Sequence, residues 1–500
     1  MTYLNFVSFF GIFGLCFVAW IFSEDRRVIP WRVIIWGIGL QLVLGYLIFQ
    51  QPQTREFLRA FSGLLDSVFS SADAGARFVF GRNIVPIPDK PSDVSLGYIF
   101  AFRALPAVIF FSGFMALLEN LGIIQRVVEV FAKLFFWTMR LSGAEALSGA
   151  ANIFVGIEAA IVVKPYLPKM TRSELCAILA CCFGTAASST LAIYTSFLRP
   201  VFPNILGHLV SASIIAIPAC FVLSKILVPE TEVPVTMGGI PREDKSAKRD
   251  ADRELENAGG ETIKRMSPMD ATIIGALDGL KMAVSIAAIL IIIVGLVDLI
   301  NQIFNWLATI SDVFKVVNLP NIQGALFYPL TLLTGVSLDD SWIASVIIGR
   351  RLLETAIPPY QALAQAAKDG LISDRTVIIV SYALSGFAHL ASVGIFVGGT
   401  IALIPSRRRD ISDLGWKALF VGTLATLMIS CIAGVFDDGS PSILGEKKKA
   451  EPVQIKPEAT TSPSATPSAS PKVTPSASPS NSPTNTSPSP KASPSLPTPR

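Results

Sequence analysis

Residues 141–167 read LSGAEALSGAANIFVGIEAAIVVKPYL. The stretch is largely apolar, yet Gly143, Gly149, Asn152, Gly156, Glu158 and Pro165 interrupt it too often for a clean transmembrane helix. Irregular backbone cannot face lipid, because its N–H and C=O groups find no partners in hydrocarbon. Such a segment must be buried in protein or line a cavity. A second stretch of the same kind runs from Asn321 to Tyr360, NIQGALFYPLTLLTGVSLDDSWIASVIIGRRLLETAIPPY. Each is followed by an unusually polar hydrophobic run, Cys176–Leu198 and Thr376–Pro405. Two interrupted segments in corresponding positions predict a secondary transporter built from two repeats.

The rest of the chain supports that class. It has 500 residues, 51% hydrophobic and only 16% charged, with a mean hydropathy of +0.55. A soluble domain carries about 25% charged residues, so the sequence predicts an all-α polytopic membrane protein. A soluble enzyme, a secreted disulfide scaffold and a nucleic-acid-binding module are excluded; the net charge of +4 is too small for the last. About eight spans are expected, near 3–22, 33–50, 97–118, 174–198, 201–224, 282–300, 376–405 and 417–436. The first lacks the basic start and cleavage site of a signal peptide, so it reads as a true span. Arg26, Arg27 and Arg32 place the loop after it in the cytoplasm, and alternation then puts 225–281 and Arg407–Arg409 inside as well. By this count the interrupted segment at about 141–167 enters from inside and that at about 321–360 from outside, so the repeats are inverted. All six cysteines lie in apolar runs and read as packing groups.

The expected organisation has five parts. Residues 1–95 hold N-terminal spans and an interfacial helix; 96–228 form a first transport half; 229–266 are a polar cytoplasmic linker. Residues 267–440 form the second half, and 441–500 a disordered Ser/Pro/Thr-rich tail, with thirteen of the chain's 34 prolines in 451–500.

Chemistry concentrates in the interrupted segments and the polar spans. Glu158 is a carboxylate at membrane depth, costly unless used, although a helix cap or a pair with Lys164 is the alternative. Gly184 to Thr190 is a run of small and hydroxylated residues that either packs helices closely or unwinds to offer carbonyls to a hard cation. In the second half, Phe387, His389 and Ser392 offer an aromatic face and two hydrogen-bonding groups within about a turn and a half of helix. No nucleophile elbow, metal-ligand spacing or phosphate loop points to an enzyme.

At these residues the chain resembles the concentrative nucleoside transporter family. The similarity runs in order through Gly75–Gly81, Ser142–Leu147, Ala151–Gly156, Met170–Leu175, Gly275–Lys281, Gly335-Val336 and Ala383–Gly399. The resemblance implies a homotrimer in the cell membrane, with eight spans, two re-entrant hairpins and interfacial helices, moving nucleosides by an elevator-like motion. It implies sodium as co-transported ion and no other cofactor. The ion would sit on the Asn152 side chain, the Val155 carbonyl, the Ser189 hydroxyl and carbonyl, and the Thr190 carbonyl.

The substrate site departs from the family pattern. Where the family has Gly-Gln-Thr-Glu-Ala-Pro this chain has Gly156-Ile157-Glu158-Ala159-Ala160, so Glu158 takes the place of the base-binding acid. Where the family has Asn-Glu-Phe-Val-Ala-Tyr, ungapped alignment gives Thr355-Ala356-Ile357-Pro358-Pro359-Tyr360. The ribose-binding acid is thus missing, with Glu354 two residues earlier, about 200° away on a regular helix. His389 stands for the family's Asn, while Phe387 and Ser392 are kept. The expected solute contacts are Ile157, Glu158, Glu354, Phe387, His389 and Ser392. The expected function is sodium-coupled symport of nucleosides or nucleoside-like solutes, with weaker dependence on the ribose hydroxyls. Proton coupling through Glu158 or His389, and a non-transporting sensor or assembly protein on the same scaffold, are the alternatives.

Overall fold

The structure is a computed structural model that describes residues 3–85, 99–154, 156–164, 166–186, 188–239 and 267–439. Most of the 229–266 linker and the 441–500 tail lie outside these residues. The chain divides into two units after Lys448, and the first is described below.

Among the described residues every regular element is helical. Helices α1 (Tyr3–Ile21), α2 (Trp31–Phe49) and α3 (Pro52–Phe80) lead into α4 (Phe100–Asn120) and α5 (Ile123–Met139). Then come α6 (Gly143–Ala151), a 3-10 helix (Ile157–Val163), α7 (Arg172–Gly184), α8 (Ser188–Leu198) and α9 (Ile205–Leu227). Beyond the linker are α10 (Pro268–Ile310), the short α11 (Val313–Val316), α12 (Leu319–Leu333), α13 (Leu338–Glu354) and α14 (Ile357–Lys368). The chain ends in α15 (Asp374–Ala383), α16 (Leu390–Leu403) and α17 (Arg408–Phe436). Six of these helices are long and apolar enough to cross a membrane: α1, α2, α4, α9, α10 and α17 with its 3-10 lead-in. The other two expected spans, 174–198 and 376–405, are each broken in two, as α7/α8 and α15/α16.

Capping chemistry sets where the helices start. Ser142 with Glu145, and Thr171 with Glu174, form capping boxes at α6 and α7. Ser337 caps α13 by accepting from the Asp340 N–H, and Ser373 caps α15 by accepting from the Thr376 N–H. A side-chain oxygen there satisfies an N–H that has no intrahelical partner. The same order therefore occurs twice: a helical pair, a broken helix and a long helix.

The two pairs start at opposite ends of the molecule. At one end the Glu24 N–H donates to the Leu227 carbonyl at 2.9 Å and Ser173 Oγ to the Val228 carbonyl at 2.7 Å. Lys225 Nζ reaches Glu145 at 2.6 Å there, so α6 enters from that end. At the other end Asn5 Nδ2 donates to the Asp437 carbonyl at 2.8 Å, and Arg375 bridges Asp437, Ser8 and the Gly335 carbonyl. Asp340, on the first turn of α13, accepts from Ser373 Oγ and Thr376 Oγ1 at 2.6 Å each. α1 runs from the Asp437 end to the Glu24 end, and α17 runs back. The inversion expected from the loop count is thus built into the packing.

Two boundaries differ from expectation. The second helical pair is α13–α14, ending at Lys368, and α12 is a separate helix. Gly335, at φ 78°, turns the chain between them where any Cβ would strike Ser8. The sixth span is a 43-residue helix rather than 282–300. Asp278 and Lys281 pair at 2.8 Å on its exposed face, so their charges do not end it.

Candidate functional site

The two breaks lie against each other. α7 stops at Gly184, and the Thr185 carbonyl accepts the backbone N–H of Phe387 at 3.2 Å. A Cβ on Gly386 would lie 2.8 Å from both the Phe183 and Gly184 carbonyl oxygens and 2.6 Å from Thr426 Cγ2. Only glycine permits that approach. The polar runs noted in the sequence therefore face one another, one from each half.

The tip of the first hairpin follows α6. Asn152 is fully buried; its Nδ2 donates to the Ser148 carbonyl at 3.1 Å. Its Oδ1 has no hydrogen-bond donor among the described residues. A buried amide oxygen without a donor is costly, and a hard cation is one group that satisfies it. Gly156 is buried nearby. Val155 lies outside the described residues, as do the side chains of Ile157, Glu158 and Ser189. The backbone of Ile157 and Glu158 is in the 3-10 helix, and that of Ser189 in the first turn of α8.

His389 is the N-cap of α16. Its Nδ1 accepts the Ser392 N–H at 3.3 Å, and Ser392 Oγ lies 3.1 Å from both ring nitrogens. The imidazole thus supplies the side-chain acceptor that starts α16. The Phe387 ring packs edge-on to His389 at 6.0 Å and to Phe396 at 6.1 Å.

In the second hairpin, Thr355 joins α13 to α14 with φ 70° and ψ −177°. Tyr360, one turn on, stacks on Tyr194 at 4.5 Å and donates through its hydroxyl to the Ser381 carbonyl at 2.8 Å. Glu354 is turned to Arg350, whose Nε reaches both carboxylate oxygens at 3.0 Å. Arg351 is 1% exposed and donates to the Ala383 carbonyl and, at 3.0 Å, to Thr426 Oγ1.

These parts enclose a cavity of about 170 Å³. Gly156 of the first hairpin and Thr355, Ala356 and Ile357 of the second line it. Thr190 and Tyr194 of α8, and Phe387, His389 and Ser392 at the second break, complete its polar side. Met282, Ile286, Ile289 and Leu290 of α10 form an apolar wall. Of the sequence-predicted residues, the structure brings Thr190, Phe387, His389 and Ser392 together. Glu354 does not line the cavity, because Arg350 holds its carboxylate. Sequence reading missed Tyr194 and the α10 wall, which carry no motif beyond apolar periodicity. It missed Arg351 too, which sits in an Arg-Arg pair that reads as a hairpin flank.

Three family models match the chain: "Na+ dependent nucleoside transporter N-terminus" over residues 10–83, "Nucleoside recognition" over 101–201, and "Na+ dependent nucleoside transporter C-terminus" over 208–434. An uncharacterized transporter of Haemophilus influenzae is 34% identical over 434 residues, covering 86% of this chain and 97% of that one. Mouse solute carrier family 28 member 3 is 33% identical over 452 residues, 87% of this chain and 59% of the relative, so the chain spans under two thirds of that protein. Mouse sodium/nucleoside cotransporter 1 is 32% identical over 446 residues, 86% of this chain and 63% of the relative. The solved structure of CNTnw in an inward-facing substrate-bound state superposes with a TM-score of 0.77 at 32% identity, covering 88% of this chain and 99% of that one. A doubly substituted variant of that protein in an outward-facing state gives 0.76 at 32% identity, covering 87% and 98%.

Proposed function

The chain belongs to the sodium-dependent nucleoside transporter family, and on that premise we propose that it carries nucleosides or nucleoside-like solutes into the cell together with sodium. The family is one of membrane transporters, not enzymes, and this chain is a multi-pass membrane protein. The observation that carries the reading is a cavity lined by Gly156 after α6, the Thr355 corner between α13 and α14, Thr190 at the start of α8, and Phe387 and His389 at the second break. A solute there touches elements of both halves, so its binding is felt by every part that must move.

Sodium is assigned to the Asn152 Oδ1, the carbonyls of Val155 and Thr190, and Ser189. The donor-less Asn152 oxygen supports this set, as does Thr190 lying on the same cavity as Gly156. Solute is assigned to Ile157, Glu158, Phe387, His389 and Ser392. Glu354 has a reduced part, because its carboxylate is already engaged. The ion orders the first hairpin tip and the solute bridges to the second, so each binds better in the presence of the other. The hairpins with α7–α8 and α15–α16 then move as a unit, elevator-like, within a homotrimer. Structures of CNTnw in inward- and outward-facing states support such a motion for the fold.

Thermal-shift measurements on the purified protein test the reading. Nucleoside is expected to raise the melting temperature in sodium and far less in potassium. A shift of equal size in both salts rules out sodium coupling, and no shift in either rules out the nucleoside assignment.

A further inference from the structure

We propose that Thr355 is a solute-recognition residue, its hydroxyl pairing with a hydroxyl of the transported nucleoside. The inference rests on the cavity being the solute site, as read above, and adds a contact that neither the motifs nor the relatives assign.

The backbone carries the first part of the argument. At φ 70° and ψ −177° Thr355 occupies a region that is essentially reserved for glycine. A β-branched side chain is poorly suited to it, and glycine would close the α13–α14 corner without strain. A threonine kept there at a conformational cost points to use of its side chain, since strain of this kind clusters at binding sites.

Burial carries the second part. Thr355 is 6% exposed, and its Oγ1 has no hydrogen-bond partner among the described residues. Two neighbouring polar pairs are already hydrogen-bonded internally. His389 and Ser392 satisfy each other, and Arg350 takes the Glu354 carboxylate. Thr355 therefore offers the cavity a buried donor and acceptor that the bound solute is placed to satisfy.

The chemistry of the partner follows from the surroundings. The neighbouring lining residues Ala356 and Ile357 are apolar, and α10 closes the far side with aliphatic side chains. A neutral hydroxyl, which donates and accepts as threonine does, matches this setting. The second hairpin thus reads a sugar hydroxyl through a neutral side chain, one position before the Ala356 that replaces an acid.

The test is initial-rate uptake by the full chain in liposomes, with KM measured for uridine, its 2′-, 3′- and 5′-deoxy analogues and its 3-deaza analogue. Wild type, Thr355→Ser and Thr355→Gly are compared, and their melting temperatures recorded. Wild type is expected to lose about 3- to 10-fold in affinity for one deoxy analogue, the range of a single neutral hydrogen bond. Thr355→Ser keeps that discrimination. Thr355→Gly abolishes it, raises KM for uridine by the same factor, and melts at or above wild type because the backbone is relieved. An unchanged KM in Thr355→Gly overturns the proposal, as does an equal rise for every analogue or discrimination falling on the 3-deaza compound alone. A wild type that takes up no nucleoside sinks the transport reading, and this inference with it. A transporting wild type with indifferent Thr355 variants sinks only the assignment of Thr355.

Discussion

The backbone N–H of Phe387 donates to the carbonyl of Thr185 across 3.2 Å, so the break in one half is hydrogen-bonded to the break in the other. Neither residue is near the other in sequence, and each belongs to a helix that stops in the middle of a span. The link places the aromatic face of the second half beside the small, hydroxylated run of the first.

Gly386 makes that link possible, and replacing it with alanine is expected to break it. The added Cβ meets two backbone oxygens that cannot rotate away. Overpacking of this kind costs about 1–3 kcal/mol. Gly386→Ala is therefore expected to lower the melting temperature and reduce uptake at least about tenfold. A variant with normal uptake would mean that the breaks separate during transport without loss.

Asn152→Ala removes the donor-less oxygen assigned to the ion. Its half-saturating sodium concentration is expected to rise by about tenfold, the effect of losing one contact to a charge. At saturating sodium the nucleoside KM returns towards wild type. Unchanged sodium dependence would place the ion elsewhere.

Arg351 presents a balance of opposing terms. It donates to Ala383 and Thr426, yet its Nε and Nη2 have no partner among the described residues. Among the described residues Arg351 pairs with no carboxylate, so its replacement breaks no described ion pair and relieves the cost of a buried charge. Arg351→Met is expected to melt within about 1 kcal/mol of wild type, while KM rises as the end of α15 loses its clamp. A collapse in stability would show instead that the guanidinium is a structural strut.

At the Glu24 end, Arg172 binds Glu24 at 3.0 Å and also Asp413, and Lys417 binds Glu24. Burial by itself would raise the Glu24 carboxyl, but hydrogen bonds from Arg172 and Lys417 outweigh it and hold it below the usual glutamate value of 4.5. A carboxyl depressed in the folded state adds stability above its unfolded value, and that stability is lost as pH falls through the folded one. The melting advantage of wild type over Glu24→Gln is expected to be present at pH 7 and to shrink below about pH 4.5. It should not exceed about 1 kcal/mol, the range for partly exposed pairs. An advantage independent of pH would mean that the carboxylate charge is not what Arg172 holds.

Much of this was legible in the sequence because lipid permits so few irregular backbones. Glycine, proline and lone charges inside apolar runs marked both interrupted segments, and the small, hydroxylated run from Gly184 to Thr190 marked the first break. Features set by tertiary contact left no mark. The end of α12 depends on Gly335 fitting against Ser8, and the length of α10 depends on Asp278 and Lys281 sharing one face. Likewise, no residue at 355 announces a positive φ, since the sequence has threonine where a turn rule asks for glycine. The engagement of Glu354 by Arg350 was available as an i, i+4 pair. Alignment to the family position hides that pair, because it compares Glu354 with a site two residues on.

The most direct measurement is uptake of radiolabelled nucleoside into proteoliposomes holding the full chain, driven by an imposed sodium gradient and, separately, by an imposed proton gradient. Accumulation above equilibrium under the sodium gradient alone, reduced in Asn152→Ala at low sodium and restored at high sodium, is the expected result. Accumulation under the proton gradient in sodium-free buffer, or none under either, would contradict sodium-coupled nucleoside transport.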